Sequence, residues 1–117
     1  MSPLRIDYIE FQTSALADTK GFFARAFGWS HTDYGPNYAS FSGAGEDGGY
    51  DGSAAPEGAN QCGPVLVVLK AEDLDAAERA VVAAGGTIVK PAYGFPGGKR
   101  FHFREPGGNV LAVWSEK

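Results

Sequence analysis

Apolar and polar residues alternate along residues 4–13, LRIDYIEFQT, as in a strand with one buried face. Ile6, Tyr8, Glu10 and Gln12 fall on one side, Ile9 and Phe11 on the other. The period then lengthens. In residues 16–27, LADTKGFFARAF, Leu16, Phe23 and Phe27 recur at helical spacing, with Phe22 and Ala26 beside them. Ser14 is the expected N-cap and Gly28 the expected stop. Strands are predicted at 29–34 and 37–42, joined by a Gly35-Pro36 turn, with a short strand at 48–52. Residues 53–62 are small and polar and read as a connector. The pattern then restarts with an apolar strand at 64–71, a helix at 73–84 closed by Gly85-Gly86, and strands at 87–90, 99–104 and 109–115. Residues 91–100, PAYGFPGGKR, read as a loop able to act as a lid.

The two halves superpose without a gap. Laying Tyr8 on Leu66, a shift of 58 residues, puts Ile9 on Val67, Phe11 on Leu69, Leu16 on Leu74, Phe23 on Val81 and Gly28 on Gly86. A unit that cannot bury its own sheet face alone should pair with its repeat. The expected organisation is one domain over 1–117. Module one spans about 1–52, a connector about 53–62, and module two about 63–117.

Composition narrows the function. The 117 residues carry 44% hydrophobic side chains, enough for a core, and a net charge of -4. That charge argues against nucleic acid, whose phosphates demand a surplus of Lys and Arg. The single cysteine, Cys62, allows no internal disulfide and has no neighbouring base or cation to activate it. No basic stretch leads into an apolar run near residue 1, and no run is long enough to cross a bilayer. A cytoplasmic protein without membrane contact is expected. The fragment GAGEDGG at 43–49 lacks the ending of a phosphate loop and is acidic.

Three segments carry a resemblance to a known family: FFARAFGW at 22–29, AGGTIVKP at 84–91 and FHFREPGGNVLAVW at 101–114. The last is similar to the signature F-x-D-P-x-G-N, with Glu105 in place of Asp. On these residues the chain resembles the vicinal oxygen chelate superfamily of glyoxalases, extradiol dioxygenases and bleomycin-resistance proteins. The resemblance implies an α+β fold: two βαβββ modules forming a curled mixed sheet around a central cleft, often in a homodimer. It also implies a divalent metal held by His, Gln or Glu on cleft-facing strands. Here the chain departs from the pattern. The positions that correspond to the ligands are Tyr8, Leu66 and Ala112, and two of the three have no donor atom. No metal and no other cofactor is therefore expected. A displaced metal site would have to draw on Glu10, His31 and His102.

The candidate pocket follows from alternation and from the cup that the resemblance implies. Phe101 and Phe103 point to the core, so His102 faces the other way with Arg100 and Arg104. His102 and Glu10 are the candidates for acid–base work. Tyr8, Gln12, Leu66, Arg100, Ala112 and Trp114 are the expected ligand-binding residues. Trp29, Tyr38 and Phe95 are further candidate aromatic walls. Three functions remain open at this point. The first is a metal-independent protein that binds a small molecule, cationic compounds fitting the acidic chain. The second is a glyoxalase-like lyase or dioxygenase with displaced metal ligands. The third is an interaction module that has lost its chemistry.

Overall fold

The computed structural model describes residues 3–53 and 65–116. Within them the two halves are built alike. Module one runs β1 (Ile9–Gln12), α1 (Leu16–Phe27), β2 (Ser30–Asp33), β3 (Tyr38–Ser42) and β4 (Gly48–Asp51). Module two runs β5 (Val67–Lys70), α2 (Leu74–Ala83), β6 (Thr87–Phe95), β7 (Gly98–Arg104) and β8 (Val110–Ser115). Each module forms one mixed four-stranded sheet, ordered β1-β4-β3-β2 and β5-β8-β7-β6. The first strand of each pairs in parallel with the last, Ile9 beside Gly48 and Val67 beside Leu111. The fold is thus α+β with two βαβββ modules, and the 58-residue shift carries β1 residue by residue onto β5. Among the described residues the two sheets do not close into one, and no helix is long and apolar enough to cross a membrane.

The core lies between each sheet and its helix, and it is continuous across the modules. Phe11, Phe23, Phe41 and Tyr50 fill the first half. Phe23 stacks on Trp29 with ring centroids 4.6 Å apart, so Trp29 is part of the core. Phe22 crosses to the second half and meets Phe103 at 5.7 Å.

The structure corrects four local expectations. The first strand is confined to Ile9–Gln12, because its one partner among the described residues, β4, offers four residues to pair with. Leu4 and Ile6 consequently lie outside the sheet and are exposed. Ser14 does not cap α1. The N-cap is Ala15, whose N–H is taken by Thr13 Oγ1 at 2.9 Å, while the Ser14 hydroxyl turns to the carbonyl of Gly107. Gly28 ends α1 in the left-handed region at φ 75°, but its counterpart in that role is Gly85 at φ 105°, one residue before Gly86. The stretch 91–100 is not a lid. β6 continues to Phe95 and only Pro96-Gly97 turn before β7. Pro91 is tolerated because β6 is an edge strand. The 53–62 connector lies, apart from Ser53, outside the described residues.

Candidate functional site

Alternation along β1 turns Phe11 into the core and Tyr8, Glu10 and Gln12 onto the opposite, open face of the first sheet. Tyr38 at the start of β3 joins them. Its hydroxyl donates to Glu10 Oε1 at 2.9 Å and lies 2.5 Å from the Tyr8 hydroxyl. Since the Tyr38 proton is committed to Glu10, Tyr8 donates to Tyr38. The short chain Tyr8–Tyr38–Glu10 stands directly over Gly49 of β4. A Cβ at residue 49 would sit 2.5 Å from the Tyr38 oxygen and 2.6 Å from the Tyr8 oxygen, so only glycine leaves room for the two hydroxyls to meet. Burial, the bonds to Tyr8 and Glu10, and the Glu10 charge all push the Tyr38 phenol well above its ordinary pKa, which keeps its proton in place.

Beside this chain, a cleft of about 490 Å³ separates the modules. Tyr8, Glu10 and Gln12 line one side, and Val67, Asn109 and Val110 the other. Asn109 closes the end of the cleft, donating from Nδ2 to the Gln12 carbonyl at 2.8 Å and to Glu105 Oε2 at 2.6 Å. Among the described residues no cation lies within 4 Å of the Glu10 carboxylate. A second depression of about 540 Å³ at Lys70–Glu72 and Ser115–Glu116 is rimmed by the exposed Lys70–Glu116 ion pair.

The remaining candidates gather on the open face of the second sheet. His102 Nε2 lies 3.0 Å from the Tyr93 hydroxyl, which also accepts from Arg100 Nε. Lys90 Nζ stands 4.4 Å from the centre of the Tyr93 ring. Trp114 is half-buried against Phe95, with centroids 6.0 Å apart. Ala112 is fully buried between its strand neighbours Val68 and His102, and Leu66 is exposed just before β5. Of the predicted residues, Tyr8, Glu10 and Gln12 therefore come together at the cleft. His102, Arg100, Ala112 and Trp114 come together on the other sheet. Arg104 follows on the same strand and is exposed.

Sequence reasoning passed over Lys90 and Tyr93. Their separation has the wrong parity for one strand face, but register shifts between Ile88, Lys90 and Tyr93 bring both opposite β7 beside His102 and Arg100. Asn109 was read only as the first residue of the last strand and as part of the signature segment. Its backbone contact to Gln12 joins segments far apart in the chain and leaves no local signal.

The positions corresponding to the superfamily's metal ligands do not fit a divalent ion. Leu66 and Ala112 offer hydrocarbon only, and Tyr8 is a hydrogen-bonded phenol. The two histidines sit on different sheets, His31 bonded to Tyr50 at 3.0 Å and His102 to Tyr93. Among the described residues no three of His, Cys, Asp or Glu cluster for a metal.

Both histidines have pKa values lowered from their ordinary range. Burial dominates at each. Lys20 adds to it at His31, against Asp33, and Arg100 and Lys90 add to it at His102. Just below the ordinary value of about 6.5 the unfolded chain then binds more protons than the folded one. Stability should fall as pH drops from neutrality through that range toward the folded pKa values. Melting temperatures followed from pH 7.5 to about 5.5 should show this fall, and it should be smaller in His31→Asn/His102→Asn. An equal slope in the double variant would remove the histidines as its source.

The sequence pattern of the Glyoxalase/Bleomycin resistance protein/Dioxygenase superfamily matches residues 5–113. The chain belongs to that superfamily. No curated protein sequence matches it. A glyoxalase-related enzyme from Fulvimarina pelagi superposes with a TM-score of 0.77 at 18% identity, over 95% of this chain and 87% of the other. A glyoxalase/bleomycin resistance protein/dioxygenase family enzyme from Burkholderia phytofirmans PsJN gives 0.78 at 15%, over 95% and 98%. Lactoylglutathione lyase from Agrobacterium tumefaciens gives 0.73 at 16%, over 98% and 96%. At these identities the solved structures establish the superfamily fold and nothing finer.

Proposed function

We propose that this superfamily member binds a small, largely apolar, cation-bearing molecule in the cleft between its modules, without the metal centre of its catalytic relatives. The observation that carries the reading is the Tyr8–Tyr38–Glu10 chain beside the cleft. It holds an ionisable carboxylate with no counter-ion among the described residues next to Ile9, Val67 and Val110. A fixed carboxylate at the edge of an apolar wall favours an organic cation, whose charge meets Glu10 while its body covers hydrocarbon. Gln12 and Tyr8 supply further polar contacts at the same wall. Glu10 is also the group in the cleft able to take a proton from a ligand, and Tyr38 holds it in one orientation.

Benzyltrimethylammonium is a suitable probe, with a permanent charge and one ring. Calorimetric titration should show saturable binding, weakened roughly tenfold in Glu10→Gln, about the worth of one charge-assisted contact. Gly49→Ala, which forces the two tyrosine hydroxyls apart, should weaken it as well. Equal affinity in the parent and in Glu10→Gln would overturn the assignment of the cleft. A stoichiometric divalent ion in protein purified without added metal would overturn the metal-free reading.

A further inference from the structure

We infer that the free edge of β5, with the depression beside it, is a docking site for an extended peptide of a partner protein that carries an apolar residue between basic ones. The first ground is a comparison of the sheet edges, which are β1 and β2 in one module and β5 and β6 in the other. β2, Ser30–Asp33, is polar throughout, and its Asp33 holds Lys20 at 2.6 Å. β6 contains Pro91 and two register shifts. β1 is capped by the turn of the other module, where Asn109 Nδ2 donates to the Gln12 carbonyl. Each of these devices keeps a foreign strand off an edge. β5, Val67–Lys70, has no proline and no bulge, and it pairs regularly with β8. Its one charge is turned away, since Lys70 Nζ bonds Glu116 at 2.7 Å and stands 5.1 Å from the centre of the Trp114 ring. No Cα of β1 lies within 8 Å of a Cα of β5, so the first sheet does not cover it.

The repeat shows what such an edge accepts. The 58-residue shift lays Gln12 on Lys70 and Thr13 on Ala71. The ladders agree, because the Thr13 amide bonds the Asp51 carbonyl at 3.1 Å and the Ala71 amide bonds the Trp114 carbonyl at 2.8 Å. By alternation the amides and carbonyls of Val68 and Lys70 then point outward, as the Gln12 carbonyl does. The Gln12 carbonyl is taken by the side-chain amide of Asn109. The loop that corresponds to that turn, residues 43–47, contains no Asn, and no hydrogen bond from it reaches β5 among the described residues. It leaves a depression of about 370 Å³ between Phe27, Trp29 and Ala44 on one side and Val68, Leu69 and Lys70 on the other. A main-chain amide offers the same donor as Asn109, and an extended chain presents one at every second residue. The side chain between them meets the Phe27 and Trp29 rings. The loop continues into Glu46 and Asp47, both exposed and without a cation within 4 Å among the described residues, so basic flanking residues suit it. Width decides against a second copy of this chain. Phe27 and the loop stand across from β5, which leaves room for one bare strand and not for a sheet edge backed by its helix. The depression shares no lining residue with the cleft.

The probe is a fluorescein-labelled peptide amide, Arg-Val-Leu-Val-Arg, followed by anisotropy with the full chain. Saturable binding is expected. The fully N-methylated peptide keeps the side chains and loses the donors, and it should bind about tenfold more weakly or worse. Val68→Pro removes an outward amide and spares the ladder to β8, so affinity should fall about tenfold with the circular dichroism spectrum unchanged. Ala44→Leu fills the depression from the opposite wall and leaves β5 intact. It should weaken the peptide to a similar extent and leave benzyltrimethylammonium binding in the cleft unchanged. Glu46→Gln/Asp47→Asn should cost a fewfold, and a peptide with glutamates in place of its arginines should not bind. Equal affinity for the N-methylated peptide, or unchanged affinity in both Val68→Pro and Ala44→Leu, would overturn the site. A dimer in sedimentation that Val68→Pro dissolves would overturn it in favour of a second copy. Binding that begins only after residues 54–62 are exchanged for glycine and serine would assign the edge to the chain's own connector. Because the cleft is probed with a small cation, either site can fail while the other stands.

Discussion

Replacing Glu105 with alanine should cost about 3–5 kcal/mol of folding stability, a large share of the 5–15 kcal/mol typical of a domain. Glu105 is 1% exposed, and its carboxylate accepts four hydrogen bonds. The donors are Thr19 Oγ1 at 2.7 Å, the Gly107 amide at 2.7 Å, the Asn109 amide at 3.0 Å and Asn109 Nδ2 at 2.6 Å. Thr19 continues the chain to Thr13 at 2.6 Å, and Thr13 holds the first turn of α1 through the Ala15 amide. One carboxylate in module two thus organises the turn before β8 and the start of the helix in module one. Alanine leaves buried donors without an acceptor, and each costs on the order of 1–3 kcal/mol when water cannot reach it. Glu105→Gln keeps the volume but turns one acceptor oxygen into a donor facing other donors, so about 2 kcal/mol should still be lost. Urea unfolding monitored by circular dichroism measures both. A loss under about 1 kcal/mol in Glu105→Ala would mean that the turn rearranges to satisfy its own amides.

That carboxylate also marks where reading the sequence stops. The signature segment REPGGN at 104–109 identified the superfamily and the turn, with Glu105 standing where Asp is usual. Its role could not be read there, because the partner Thr19 lies 86 residues away and nothing in helix α1 advertises a buried hydroxyl. The modules themselves were legible, since period and repeat are local properties. β1 and β5 obey the 58-residue shift throughout their length. The faces were legible only where the strands are regular. Alternation put Tyr8, Glu10 and Gln12 together and His102 with Arg100. It failed on β6, where the register shifts around Lys90 hide the match between Lys90 and Tyr93. Alternation also cannot say how two sheets are placed relative to each other. Tyr8, Glu10 and Gln12 line the cleft beside the first sheet, and His102, Arg100 and Trp114 lie on the open face of the second.

The joint between the modules supplies the other large effect. Phe22 of α1 is fully buried, edge-on to Phe23 at 5.1 Å and to Phe27 at 6.0 Å, and tilted against Phe103 of β7 at 5.7 Å. Phe22→Ala removes a ring shared by both halves and should cost about 3–5 kcal/mol, since the surrounding rings cannot collapse into the space without leaving their own contacts. The ring also explains a glycine. A Cβ at Gly86 would lie 2.9 Å from Phe22 Cε1 and 2.7 Å from Val81 Cγ1. Gly86→Ala should therefore destabilise the parent, and less so once Phe22 is alanine, because one of its two collisions has gone. The expected coupling in the double-mutant cycle is about 0.5–1 kcal/mol, read from urea midpoints of the four proteins. Strict additivity would place Phe22 and Gly86 in separate packing units, leaving Phe27 against Phe103 as the aromatic contact between the modules.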